Sequence, residues 1–315
     1  MNTLPPQIET DRHVWQAFRY HSRTFSLAVR LLPKPVRSPI ATLYLFCRTV
    51  DTIADDRVLK IGPHRALDEI STLKDRLDAT LAGRPPDAFM WQRLHRIHER
   101  FVLDTVPLYE LIDGAVWDLE GRPIESRKDL IDYSNLVGGS IGAMVLPFLL
   151  KDRTDRQRAE PAARALGIAM QITNITRDVG EDLRQLDRIY VPRTWLAAHG
   201  LTPEDLRRPK PPASYSLLME SLMETAEALF CEGMTGIAML PARMKTGIRT
   251  AARVYREILN EVRANGYDNL NRRAYVPFRR KGLRVLYDGY ERRKARLRVV
   301  PSRVPDTPLA TDFGF

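Results

Sequence analysis

Apolar residues recur at three- and four-residue spacings through nearly all of this 315-residue chain. Strict polar–apolar alternation bounded by tight-turn dipeptides is missing. That periodicity leaves little room for a sheet and predicts an all-α fold. Helices are expected over about 11–30, 64–82, 89–103, 105–120, 127–149, 155–186, 213–240 and 245–265. A further helix is expected to start at Ser38-Pro39, with Ser as N-cap and Pro at the first helical position, and to run to Asp55 or Asp56. Breaks fall at Gly83-Arg84-Pro85-Pro86, at Gly121-Arg122-Pro123 and across 200–212, where four prolines cluster. None is long or polar enough to divide the chain. One helical domain over 1–300 is expected, with 301–315 as a loose tail.

Apolar residues make up 44% and charged residues 28%, which excludes wholesale disorder. Cys47 and Cys231 give neither a disulfide framework nor metal-ligand spacing, and both read as small core residues of a reducing, cytoplasmic setting. The opening Met1-Asn2-Thr3-Leu4-Pro5-Pro6 lacks the basic-then-apolar order of a secretory signal. Residues 133–150 carry no charge, yet they hold polar residues, three glycines and Pro147, so a buried helix is expected there rather than a membrane span.

The formal charge of +10 is concentrated. Between Arg272 and Arg298 eleven Lys/Arg face only Asp288 and Glu291, a net of +9. Such a segment suits an anionic membrane surface or anionic substrate heads, or is simply a solvated helix. No base-stacking array accompanies it, which argues against a nucleic-acid partner.

Two acidic stretches carry most of the chemistry. In the first, Tyr44, Arg48, Asp51 and Asp55 fall at four-, three- and four-residue steps, flanked by Leu43, Phe46 and Val50. On a helix these side chains share one face. Taken alone, the pattern fits an Arg48–Asp51–Asp55 salt-bridge ladder or a metal-binding face. The second stretch decides between them. Gln171, Asn174, Asp178 and Asp182 form a matching stripe among Ile168, Ile172, Ile175 and Val179, with Arg177 and Glu181 about 100° away. Carboxylates gathered against apolar walls repel and are costly to desolvate. Mg²⁺, or Mn²⁺ in its place, relieves that cost and takes further ligands from substrate phosphates. The spacing therefore points to a divalent-metal enzyme acting on a diphosphate, its site cupped between two helices of a bundle.

Other segments offer partners for such a substrate. His21, Ser22, Thr24 and Phe25 supply donors and a ring; Tyr133 opens a run of small residues to Gly142; Tyr255 and Arg273 supply a phenol and a guanidinium suited to phosphate.

These residues resemble the squalene/phytoene synthase family. Asn174-Ile175-Thr176-Arg177-Asp178-Val179-Gly180-Glu181-Asp182 followed by Asp187-Arg188-Ile189-Tyr190-Val191-Pro192 is similar to its second aspartate-rich signature, and Cys47-Arg48-Thr49-Val50-Asp51 to Asp55 to its first. The likeness spans about 15–285, and Tyr267-Asp268-Asn269-Leu270-Asn271-Arg272-Arg273-Ala274-Tyr275-Val276 is closest in pattern to the phytoene-forming branch. Thr52, Gly138 and Thr176 stand where relatives carry an acid, Ala and Leu, and the latter two are expected to reshape the tunnel.

The resemblance implies an isoprenoid-synthase helical bundle around a central cavity. It implies head-to-head condensation of two prenyl diphosphates, geranylgeranyl diphosphate for the phytoene branch and farnesyl diphosphate for its dehydrosqualene or squalene relatives. Asp51, Asp55, Asn174, Asp178 and Asp182 would hold Mg²⁺. Arg48, Arg177, Tyr255 and Arg273 would meet phosphate oxygens. NADPH is not expected for phytoene formation, and no nucleotide-binding fingerprint is present. Peripheral contact with an anionic membrane through the basic segment is expected, because substrate tails and product are lipid-soluble. A non-catalytic assembly role would be marked by loss of the acids, all of which are present.

Overall fold

The computed structural model describes residues 11–208 and 210–275. The 301–315 tail and all but the first four residues of the 272–298 basic segment lie outside them. Among the described residues there is no strand; the chain forms thirteen α-helices joined by short turns. They are α1 (Asp11–His21), α2 (Arg23–Arg30), α3 (Lys34–Asp51), α4 (Val58–Ile61), α5 (Pro63–Leu81), α6 (Phe89–Phe101) and α7 (Val106–Leu119), then α8 (Arg127–Ser134), α9 (Ser140–Leu149), α10 (Arg153–Leu186), α11 (Arg193–Ala198), α12 (Tyr215–Thr235) and α13 (Ala242–Ala264).

The 34-residue α10 is the axis of the bundle, about 51 Å long. Asp152 caps its start by accepting from Asp155 N at 3.0 Å. At its other end Asp187 adopts φ +55, the left-handed conformation that reverses the chain. α8, α9, α12 and α13 pack around it. One core joins α1 to α7 with α9, around Phe18, Phe46, Leu94 and Leu108; a second joins α8 and α11 to α13 with the later half of α10, around Ile172, Leu218 and Phe230.

Three expectations about elements need correction. α3 begins at Lys34, with Pro33 before it and Pro35 in the first turn, not at Ser38-Pro39. Ser38 does not cap; its hydroxyl accepts from Arg93 Nη2 at 2.6 Å. The helix expected over 11–30 breaks at Ser22, whose hydroxyl caps α2 by accepting from Phe25 N at 3.4 Å. Residues 127–149 are interrupted by a π turn at Asn135–Gly139, and the uncharged run is buried against α10. No described helix is long and apolar enough to cross a membrane. Cys47 is buried as expected, but Cys231 is exposed on α12.

Candidate active site

α3 ends at Asp51 and continues as a π turn, Thr52–Arg57. A π turn adds one residue to the helical register. Asp56 rather than Asp55 therefore comes round onto the face of Arg48, and the pair meets at 2.8 Å. The Arg48–Asp51–Asp55 ladder is not formed. Asp55 is turned toward the far end of α10 instead.

Facing it, the later half of α10 presents Asn174, Asp178 and Asp182. Together with Asp51, Asp55 and Asp118 they line one cavity of about 210 Å³, which also takes in Tyr133, Gln171 and Arg177. All five expected metal-binding residues thus converge. Burial, and then Asp55 beside it, pushes the Asp51 carboxyl up to about 7, with Arg48 only partly offsetting them. Burial, then Asp178 and Asp55, pushes Asp182 up to about 8. Asp55 is also raised by burial, against the pull of Arg188.

Among the described residues neither Asp51 nor Asp182 has a side-chain ion pair or hydrogen bond, and Asn174 Oδ1 is buried without a partner. No three His, Cys, Asp or Glu side chains among the described residues already stand in ligand geometry. The donor set nonetheless fits a hard divalent cation: carboxylate and amide oxygens, one of them orphaned, with Asp51 and Asp182 lacking an ion-pair partner among the described residues.

Guanidinium groups ring the acids. Arg177 Nε donates to Asp178 Oδ1 at 2.7 Å, and Arg273 Nε reaches the same oxygen at 2.9 Å while its Nη1 pairs with Glu181 at 2.9 Å. Arg273 is delivered by the segment after α13, which lies down on α10. Gly180 makes this approach feasible, since a Cβ there would sit 2.5 Å from the Leu270 carbonyl carbon. Buried Asn269 fastens the segment by donating to the Thr176 carbonyl and accepting from Tyr215 OH at 2.6 Å. Arg48 keeps its Nε buried and unbonded beside the site.

Beneath the acids lies a second cavity of about 220 Å³ with mostly apolar walls from α3, α9, α10 and α13. It shares Asp51, Gln171 and Asn174 with the polar cavity, so the two meet at a common neck. Ser22, Phe25, Tyr44 and Tyr255 line it. Burial holds the Tyr44 and Tyr255 phenols above their usual range, so both stay protonated donors. Its walls run from Asp51 to Ile40 on α3 and from Asn174 to Ala159 on α10. The small residues of 133–142 serve packing first: a Cβ on Gly138 would collide with the Gly167 carbonyl of α10. Gly138 does line the apolar cavity, but Thr176 does not; its hydroxyl bonds the Ile172 carbonyl at 2.8 Å on the opposite side. The side chains of His21 and Thr24 lie outside the described residues.

Sequence reasoning assigned no role to Asp118, Arg188, Tyr190 or Asn269. Arg188 Nη1 donates to Asp55 at 2.8 Å, and its Nη2 to the Ala54 carbonyl at 2.8 Å. Tyr133 and Tyr190 both donate to Asp118 at 2.9 Å. Burial lifts Asp118 to about 6, with Arg188 opposing. Arg188, Tyr190 and Asn269 lie within segments that carry the family resemblance, and the signal for Asp118 was an acid among Ala115, Val116, Trp117 and Leu119.

The squalene/phytoene synthase family model matches residues 18–280. The phytoene synthase of Cereibacter sphaeroides is 36% identical over 84% of this chain and 75% of its own length. That of Thermus thermophilus is 34% identical over 87% and 90%. A crystal structure of a dehydrosqualene synthase with ligand superposes with a TM-score of 0.80 at 29% identity, over 90% of this chain and 96% of that one. Squalene synthase HpnC of Alicyclobacillus acidocaldarius gives 0.72 at 25% identity, over 82% and 94%.

Proposed function

The chain belongs to the squalene/phytoene synthase family, a prenyltransferase fold, and from that membership we propose that it joins two geranylgeranyl diphosphates head to head into phytoene. The observation that carries this reading is the convergence of Asp51, Asp55, Asn174, Asp178 and Asp182 on one polar cavity that meets a long apolar cavity at a shared neck.

Those five residues would hold Mg²⁺. When bound, it offsets the negative charge that grows on a departing diphosphate. Arg177, Arg273 and Arg48 would share the phosphate oxygens, and Tyr44 and Tyr255 would donate from the apolar side. The walls below keep water from the allylic cation left behind. That cation is captured by the double bond of the second substrate, and proton loss closes a cyclopropylcarbinyl diphosphate. A second ionisation, rearrangement and loss of a proton give phytoene, without NADPH.

Cavity length supports the longer substrate. Asn174 and Ala159 are fifteen residues apart on α10, about 22 Å. An isoprene unit adds four carbon–carbon bonds of about 1.5 Å, or about 5 Å extended, so four units need about 20 Å and three about 15 Å. The solved dehydrosqualene synthase keeps the shorter substrate as the rival. Incubation with farnesyl or geranylgeranyl diphosphate plus Mg²⁺, without NADPH, followed by product mass, tests the choice. A C40 hydrocarbon is expected, and a C30 product made in preference rejects it.

The reading takes 1–300 as one catalytic domain trailed by 301–315. It includes peripheral, cytoplasmic-side membrane association through the basic 272–298 segment. Flotation with liposomes should rise with anionic lipid content; indifference to that content would remove the membrane part.

A further inference from the structure

We propose that Asp118 is a positioning residue, which through Arg188 fixes the π turn that carries Asp55. This rests on the proposed function only in taking Asp55 to face the diphosphates.

Asp118 is the penultimate residue of α7, and its side chain is 10% exposed. Tyr133 OH donates to its Oδ2 and Tyr190 OH to its Oδ1, each at 2.9 Å. The two rings stack at 5.0 Å and 19°, and each phenol holds one oxygen of the carboxylate. Arg188 Nη1 stands 3.7 Å from Oδ2, beyond hydrogen-bond length. What Asp118 supplies to Arg188 is charge rather than a direct hydrogen bond.

Arg188 is 13% exposed and the Asp55 side chain 40%, so the buried end of the pair is the arginine. Held there, Arg188 grips the π turn twice, at the Asp55 carboxylate and at the Ala54 carbonyl, each at 2.8 Å. Four elements are thereby tied together: α7, α8, the chain after α10 and the π turn after α3. The tie sets how far apart the two acidic helices stand at their ligand-bearing ends. Groups that orient a ligating carboxylate typically matter about 10- to 100-fold.

The test uses the full-length protein with Asp118→Asn, Arg188→Gln and the combined variant. Asp118→Asn keeps the shape between the two phenols, one of which then accepts from the amide Nδ2, and removes the charge facing Arg188. In both single variants, backbone hydrogen exchange should quicken at Thr52–Arg57, while α7 and α8 keep wild-type protection. The kcat for prenyl diphosphate should fall about 10- to 100-fold with little change in KM. The combined variant should be no worse than the poorer single one, because one path carries both effects.

Unchanged exchange over 52–57, additive losses in the combined variant, or exchange quickening across α7 and α8 as well would each overturn the proposal. The last would make Asp118 a packing residue only. A wild-type protein that turns over no prenyl diphosphate would instead defeat the proposed function, while the exchange comparison still decides the clamp.

Discussion

Arg188 donates to Asp55 at 2.8 Å across 133 residues of chain. That contact joins the end of the second acidic helix to the π turn that closes the first. It explains why both stretches face one cavity rather than separate surfaces. Neither stretch is a site alone: Arg48 and Arg177 offset part of the charge within each, and Arg188 and Arg273 reach Asp55 and Asp178 from outside them.

Asp178 already sits between Arg177 and Arg273. Asp178→Asn is nearly isosteric but removes the charge that both the arginines and a divalent ion would meet. Diphosphate release should fall at least about 100-fold, with the helical circular dichroism spectrum kept. Wild-type turnover in this variant would remove the metal reading.

Asp51 and Asp182 give the protein a pH dependence when no divalent ion is present. Their folded values, about 7 and about 8, lie above the ordinary carboxylate value. Between about pH 4 and 8 the folded state therefore holds more protons than the unfolded one, and stability falls as pH rises through this window. In chelator the melting temperature should drop from pH 5 to pH 8. Asp182→Asn should flatten the slope, and Mg²⁺ at pH 8 should restore much of the loss. A melting temperature that rises over this range would contradict the picture.

Ala163 lines the apolar cavity eleven residues before Asn174, about 16 Å along α10. Ala163→Phe leaves room for three isoprene units and obstructs a fourth. Turnover of the C20 diphosphate should fall while the C15 diphosphate is still used, shifting the product from C40 to C30. Mass spectrometry of the hydrocarbon reads the result directly, and an unchanged product would place the cavity floor elsewhere.

Gly180 is where the Arg273-bearing segment touches α10. Gly180→Ala forces a methyl group against the Leu270 carbonyl, and overpacking of this kind costs about 1–3 kcal/mol. Denaturant unfolding should show that loss. Activity should fall further than stability accounts for, because Arg273 is displaced from Asp178. Wild-type stability would show that the segment does not dock as described.

The helices and both acidic stripes were legible because three-and-four spacing is a repeating signal that many residues share. The π turn at Thr52–Arg57 was not, since one extra residue in a turn leaves composition and periodicity almost untouched, yet it decides whether Asp55 or Asp56 meets Arg48. The start of α3 was misplaced because Pro33-Lys34-Pro35 opens a helix as readily as Ser38-Pro39, and a distant partner, Arg93, takes the Ser38 hydroxyl. Asp118, Tyr190 and Arg188 work through contacts spanning 72 and 133 residues. No local spacing encodes such partners. The 301–315 tail and most of the basic segment fall outside the described residues.

The shared neck of Asp51, Gln171 and Asn174 carries one further consequence. On the proposed reading, with one polar gate over one oily hold, two lipids entering by their tails would come to rest side by side, pointing the same way. The first carbon of one would then lie beside the allylic double bond of the other. The bond that closes the three-membered ring would follow from how the cargo is stowed.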